Sequence, residues 1–178
     1  MTQSLSRILH SIDGLNSRFG RLLAWLNLPL VLVMVVFVLL RYLFNYSPIA
    51  VSETALYLHG VLFLLGAAYT LQQDAHVRVD IFYQRLSPRG RAWVNLLGTL
   101  FLLLPVVIFI GISSWPFISA SWHILERSAE AGGLPIVYLH KSLILGFVAL
   151  LLLQGLAELL RNLLILLVGD TTSAEVAR

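Results

Sequence analysis

The chain has 178 residues, of which 58% are hydrophobic and 12% charged, with twelve Lys and Arg against nine Asp and Glu. Ordinary soluble domains carry roughly 25% charged residues. This composition leaves no room for a soluble catalytic domain, and a net charge of +3 is too small a footprint for nucleic acid. The absence of cysteine excludes disulfides, thiolate metal sites and haem attachment through Cys.

In residues 4–21, Leu5, Ile8, Leu9, Ile12, Leu15, Phe19 and Leu22 recur every three or four positions, with Arg7, Asp13, Ser17 and Arg21 between them. That spacing predicts an amphipathic helix, expected over residues 1–21, lying in the membrane interface beside the first span. Four long uncharged stretches follow, Leu22–Leu40, Thr54–Leu71, Ala92–Leu125 and Ser142–Ala157. About 20 apolar residues cross a hydrocarbon core of roughly 30 Å, and a spanning segment must satisfy its own backbone, so each is expected to be a helix. The expected fold is an all-α membrane protein with four transmembrane helices, at about 22–44, 52–73, 91–115 and 137–160, and a disordered tail at 169–178.

Asn27 and Pro29 open the first span, and Arg41 and Tyr42 close it. Asn45-Tyr46-Ser47-Pro48 is a turn. Ser52 is expected to cap the second helix, with Glu53 in its first turn favoured by the helix dipole. Gly60, Gly66, Ala67 and Ala68 supply small surfaces for close helix approach. The stretch 92–125 would form about 51 Å of helix at 1.5 Å per residue, so a break is expected at Pro116, with a kink at Pro105. Trp25, Trp93, Trp115 and Trp122 are candidate interface anchors. Gly132-Gly133 ends any preceding helix, and Pro135 opens the last one. Within it, Gln154, Glu158, Arg161 and Asn162 share a stripe, with Glu158 and Arg161 expected to pair with each other or a neighbour.

Nine of the twelve basic residues fall before span one, between spans two and three, or after span four. Basic residues mark cytoplasmic loops, so both termini are expected in the cytoplasm. The first span is too long for a signal-peptide core and no cleavage site follows it, so no cleaved leader is expected.

There is no GxSxG, HExxH or P-loop, and no enzyme is expected. His76 and Asp80 have a helical metal-ligand spacing, but two ligands without a third describe a salt-bridged turn with Asp74 and Arg78 better. His59 and His140, both towards the same side, leave a haem- or quinone-associated membrane anchor as the alternative reading. No cofactor and no metal site is otherwise implied.

The segment from Ser52-Glu53 through Leu64-Leu65-Gly66-Ala67-Ala68-Tyr69 to Asp74-Ala75-His76-Val77-Arg78-Val79-Asp80 resembles the small membrane subunit of tripartite ATP-independent periplasmic (TRAP) transporters. Glu126-Arg127-Ser128, and Leu134-Pro135 to His140-Lys141, resemble it too. The resemblance covers roughly residues 15–168 and is most specific in the His-Val-Arg-Val-Asp element. It implies an auxiliary scaffold subunit in the bacterial inner membrane, surrounded by lipid and packed on a large transmembrane TRAP subunit. A periplasmic solute-binding protein would deliver an organic acid, with import driven by sodium. Carried over by position, Glu53, His76, Arg78, Asp80 and Lys141 are candidates for structural or partner-contact roles, and Glu126 and Arg127 for contact with the binding protein.

Overall fold

The computed structural model describes residues 2–75, 83 and 85–168. Among these, every regular element is helical: α1 (Thr2–Trp25), α2 (Asn27–Phe44), α3 (Ile49–Gln72), α4 (Pro88–Gly98), a π-helical turn (Thr99–Leu103), α5 (Leu104–His123) and α6 (Val137–Val168). Four stretches are long and apolar enough to cross a membrane, Leu9–Phe44, Ile49–Gln72, Pro88–His123 and Val137–Leu167. The end of α3, the start of α4, α1 and the end of α6 lie together at a basic end. The 45–48 turn and the 124–136 loop mark the opposite, loop end.

The core sits where α3, α5 and α6 meet, with Ala68, Val107, Val148 and Leu151 at its centre and Leu71, Leu103, Ile110 and Phe147 around them. Ala68 is the small residue that lets α6 approach α3. α2 has no buried residue and packs mainly on α3. Its long row of exposed Val, Leu and Met side chains is stable only against hydrocarbon or another apolar surface.

α1 does not stand apart from this bundle. Leu9, Asn16 and Leu23 are buried, and the helix packs on both α3 and α6. Leu26 interrupts the path into α2, at the point where Pro29 has no N–H to offer the preceding turn.

Three local expectations are corrected. The helix that contains Pro116 continues unbroken to His123, because a break would leave several backbone groups bare in hydrocarbon whereas a proline frees only one carbonyl. The irregularity falls instead just before Pro105. There the N–H of Leu104 reaches back to the carbonyl of Thr99, and this widened turn absorbs the donor that Pro105 lacks. Ser52 is not the cap of α3: the helix starts at Ile49 after Pro48, and Ser52 Oγ donates to the Ile49 carbonyl at 2.9 Å. Glu53 is thereby freed from the first turn for a different task. Pro135 precedes the last helix, which begins at Val137. The expected tail at 169–178 lies outside the described residues.

Candidate functional site

Two polar clusters, one at each end of the bundle, tie the helices together. At the basic end the stripe of α6 meets α1. Arg161 Nη2 donates to Asp13 Oδ2 at 2.7 Å, and its Nη1 donates to Glu158 Oε1. Gln154, fully buried, accepts from Asn16 Nδ2 at 2.6 Å and turns its own amide towards Glu158 and Asp13. α3 joins through Gln72, which donates to the Asp13 carbonyl at 2.9 Å and accepts from Ser17 Oγ at 3.2 Å. Buried polar groups are costly unless paired. Here the buried amides of Asn16, Gln154 and Asn162 each have a partner. The expectation that Glu158 and Arg161 pair is met, with Asp13 as a third member.

The loop end is organised by Glu53. Its Oε1 accepts from Ser128 Oγ and its Oε2 accepts from the Leu134 backbone N–H at 2.6 Å. The Ser128 N–H donates in turn to the Leu134 carbonyl at 3.1 Å. One carboxylate on α3 thus closes the 126–134 loop. Gly133 is required at its neck, since a Cβ there would run into Ser128 and lie 3.0 Å from Glu53 Oε1. Beside this clasp, Lys141 on α6 donates to Glu126 at 2.5 Å and lies 3.9 Å above the Phe117 ring. The Lys141 hydrogen bond holds the Glu126 carboxyl below its ordinary value. Trp122 Nε1 donates to Ser142 Oγ at 2.7 Å, and its ring meets Tyr138 edge-on.

The sequence candidates therefore divide. Glu53, Glu126 and Lys141 come together at the loop end. Arg127 is exposed beside them, and Trp25, Trp93, Trp115 and Trp122 all present large exposed surfaces. His76, Arg78 and Asp80 lie outside the described residues. Sequence reasoning missed Ser128 and the Leu134 N–H as partners of Glu53, and missed the roles of Asp13, Asn16, Ser17 and Gln72. The only signal for Asp13, Asn16 and Ser17 was polar residues recurring at helical spacing on α1, and Gln72 at the end of α3 gave none.

His59 and His140 face different sides of α3. His59 is exposed and stacks on Phe63, whereas His140 stacks on Tyr57 at 4.3 Å between ring centroids and lies against Gly60. This arrangement gives the haem-anchor reading no support.

Between the two clusters the core is apolar, and the bundle is anchored at both ends. A family model described as tripartite ATP-independent periplasmic transporters, DctQ component, matches residues 30–164. The chain belongs to this family. It is a small membrane subunit of a TRAP transporter, a multi-pass membrane protein from a family of transporter components rather than enzymes. Neither the curated proteins nor the solved structures contain a match. The matched range takes in Glu53, Glu126, Arg127, Lys141 and the polar stripe of α6 through Arg161, but leaves out the whole of α1.

Proposed function

We propose that this DctQ-family chain is the fixed scaffold of its transporter, performing no chemistry and carrying no solute itself. The observation behind this reading is the division just described: a polar cluster at each end, each joining several helices, and the apolar contact of Ala68, Val107, Val148 and Leu151 between them. A solute path needs polar groups through the bilayer, usually on interrupted helices at the midplane. Tied ends and a close-packed centre suit a frame against which another subunit moves.

The large transmembrane TRAP subunit is the partner, and α2, with its exposed apolar length, is the helix most in need of one. A periplasmic binding protein brings an organic acid to the complex, and a sodium gradient drives import; membership of the family supports this reading. The distribution of arginines supports a basic end in the cytoplasm and a Glu53-clasped loop in the periplasm, within the inner membrane. There Arg127, exposed on the loop, and Glu126 beside it are candidates for contact with the binding protein. Trp25 and Trp93 at one level, and Trp115 and Trp122 towards the other, anchor the frame at the two interfaces, with α1 lying along the cytoplasmic one. His76, Arg78 and Asp80 are assigned to the turn between the second and third spans.

Reconstitution tests this reading. Liposomes holding the large subunit with this chain should take up a labelled organic acid when binding protein and an inward sodium gradient are supplied. Liposomes with this chain alone should take up none. Flux through the chain alone would overturn the scaffold reading.

A further inference from the structure

α1 sorts its charges by face. It carries three arginines, Arg7, Arg18 and Arg21, with one carboxylate, Asp13, and one histidine, His10. Asp13 is turned into the bundle and held by Arg161 at 2.7 Å, on the side of the buried Leu9, Asn16 and Leu23. All three arginines are exposed. At 3.6 residues per turn, Arg7 and Trp25 fall within about 20° of the line through Arg18, and Arg21, Leu15 and Leu22 within about 60° of it. His10 lies at the flank of this face and has a contact of its own.

The helix itself leaves these guanidiniums unanswered. Arg18 and Arg21 are three residues apart, so they are neighbours on the surface, where like charges repel. No carboxylate stands three or four positions from any of the three arginines, and the residues before Arg7 carry no charged side chain. Among the described residues none of the three makes an ion pair. Residues 22–40 are uncharged and make about 29 Å of helix, close to the roughly 30 Å of a hydrocarbon core. With α2 across the bilayer, Arg18 and Arg21 therefore stand at headgroup depth.

The same face is also apolar. Leu15 is 55% exposed, Leu22 67% and Trp25 71%. Water would leave these surfaces bare, and hydrocarbon would strand the guanidiniums. The headgroup layer accepts both, because arginine stems and the indole ring suit its apolar margin while the charges reach the phosphates. We propose that this face of α1 is a docking surface for anionic phospholipids of the phosphatidylglycerol class, with Arg18 and Arg21 gripping one headgroup and Arg7 another. A guanidinium pairs with a phosphate through two parallel hydrogen bonds. A headgroup of net negative charge also relieves the repulsion between Arg18 and Arg21, whereas a zwitterionic one brings its own cation with it. Asp13 and Arg161 tie α1 to α6, so lipid held on the outer face fixes the rotation of the whole frame in its leaflet. The inference rests on the interfacial placement of α1 proposed above and adds the class of lipid that holds it there.

Quenching of Trp25 fluorescence tests this in vesicles that hold the full chain. Phosphatidylglycerol and phosphatidylcholine, each brominated on the upper acyl chain, are mixed in turn into unbrominated phosphatidylcholine. The signal of a Trp25→Phe chain is subtracted, so that only Trp25 is read. The expected result is a preference of about fivefold for phosphatidylglycerol, the effect of one basic residue near an anionic surface, and added salt should weaken it. Arg7→Gln, Arg18→Gln and Arg21→Gln together should abolish the preference, and Lys at the same three positions should keep most of it. Arg41→Gln, which changes an exposed arginine at the loop end, should leave it as it is. Equal quenching by the two brominated lipids would overturn the proposal while leaving α1 at the interface. Quenching by neither would overturn the placement as well and give the face to a protein partner. A preference that survives loss of all three arginines would also overturn the proposal. The two lipids are compared with every arginine in place, so a damaged variant does not protect the idea.

Discussion

Arg161 reaches across 148 positions of sequence to hold Asp13 at 2.7 Å, and its second amino group holds Glu158 on its own helix. One guanidinium so placed fixes the first helix to the last. Its side chain is about one-fifth exposed and that of Asp13 somewhat more, so the pair is partly screened rather than sealed from water.

Removing Arg161 leaves two carboxylates facing each other. Arg161→Ala is expected to lower the stability of the purified chain by about 1–3 kcal/mol, below the 3–5 kcal/mol typical of a fully buried broken pair. Asp13→Asn should cost less, because the amide still pairs with its neighbours and no bare charge remains. Thermal midpoints from fluorescence-detected size exclusion rank the two. Arg161→Ala proving no worse than Asp13→Asn would contradict the assignment.

The membrane architecture could be read from the sequence because it rests on hydropathy and length. Four runs such as Leu22–Leu40 have no other stable solution in a bilayer. The stripe of Gln154, Glu158 and Arg161 was equally legible, since i, i+3 and i+4 positions share a face. Its partner was not. Asp13 and Ser17 fall between apolar residues on α1, a pattern that fits a solvated face as well as a polar seam, and periodicity cannot show what lies opposite. The loop end failed for another reason. Glu53 matched a helix-dipole rule within its own segment, whereas its actual partners, Ser128 and the Leu134 N–H, lie 75 or more positions away. Pro116 misled because the rule for soluble helices overstates the effect of a proline in lipid.

Glu53 closes the 126–134 loop, so its loss should expose the loop before it unfolds the bundle. Glu53→Ala is expected to make the Arg127 bond markedly more sensitive to trypsin, while the helical circular dichroism stays near that of the unaltered chain. Glu53→Gln keeps one good acceptor and should fall between the two. The rate of cleavage at Arg127, followed by intact-mass analysis, gives the order; equal rates in all three proteins would refute the clasp.

The Glu126–Lys141 pair carries a pH signature. The folded chain holds the Glu126 carboxyl below its ordinary value, chiefly through the Lys141 hydrogen bond. A depressed folded pKa means that the contribution is complete above the unfolded value, about 4.3 for glutamate, and is lost as pH falls through the folded value. The unaltered chain should therefore exceed Glu126→Gln in thermal midpoint by a constant margin at neutral pH, and that margin should shrink only in the acid range below about pH 4.3. Midpoints of both proteins across the range measure it. A margin that disappears on raising the pH would have the wrong sign for this pair.

Gly60 of α3 lies against the His140 imidazole of α6 at the loop end. The imidazole is stacked on Tyr57 at 4.3 Å and lies where a Cβ on residue 60 would project. It cannot retreat freely, since the stack fixes it on one side and α6 carries it on the other. Gly60→Ala is therefore expected to destabilise by about 1–3 kcal/mol, the usual cost of overpacking, although alanine is the better helix former. His140→Ala alone removes the stack and leaves a gap, so it should also destabilise. The double variant is the informative case. Once the imidazole is gone the new methyl enters vacated space, and the double variant should be clearly more stable than the sum of the two single losses predicts. Contacting residues show coupling of about 0.5–3 kcal/mol. A double-variant cycle on thermal or denaturant midpoints measures it, and strict additivity would show that Gly60 is not kept small by His140.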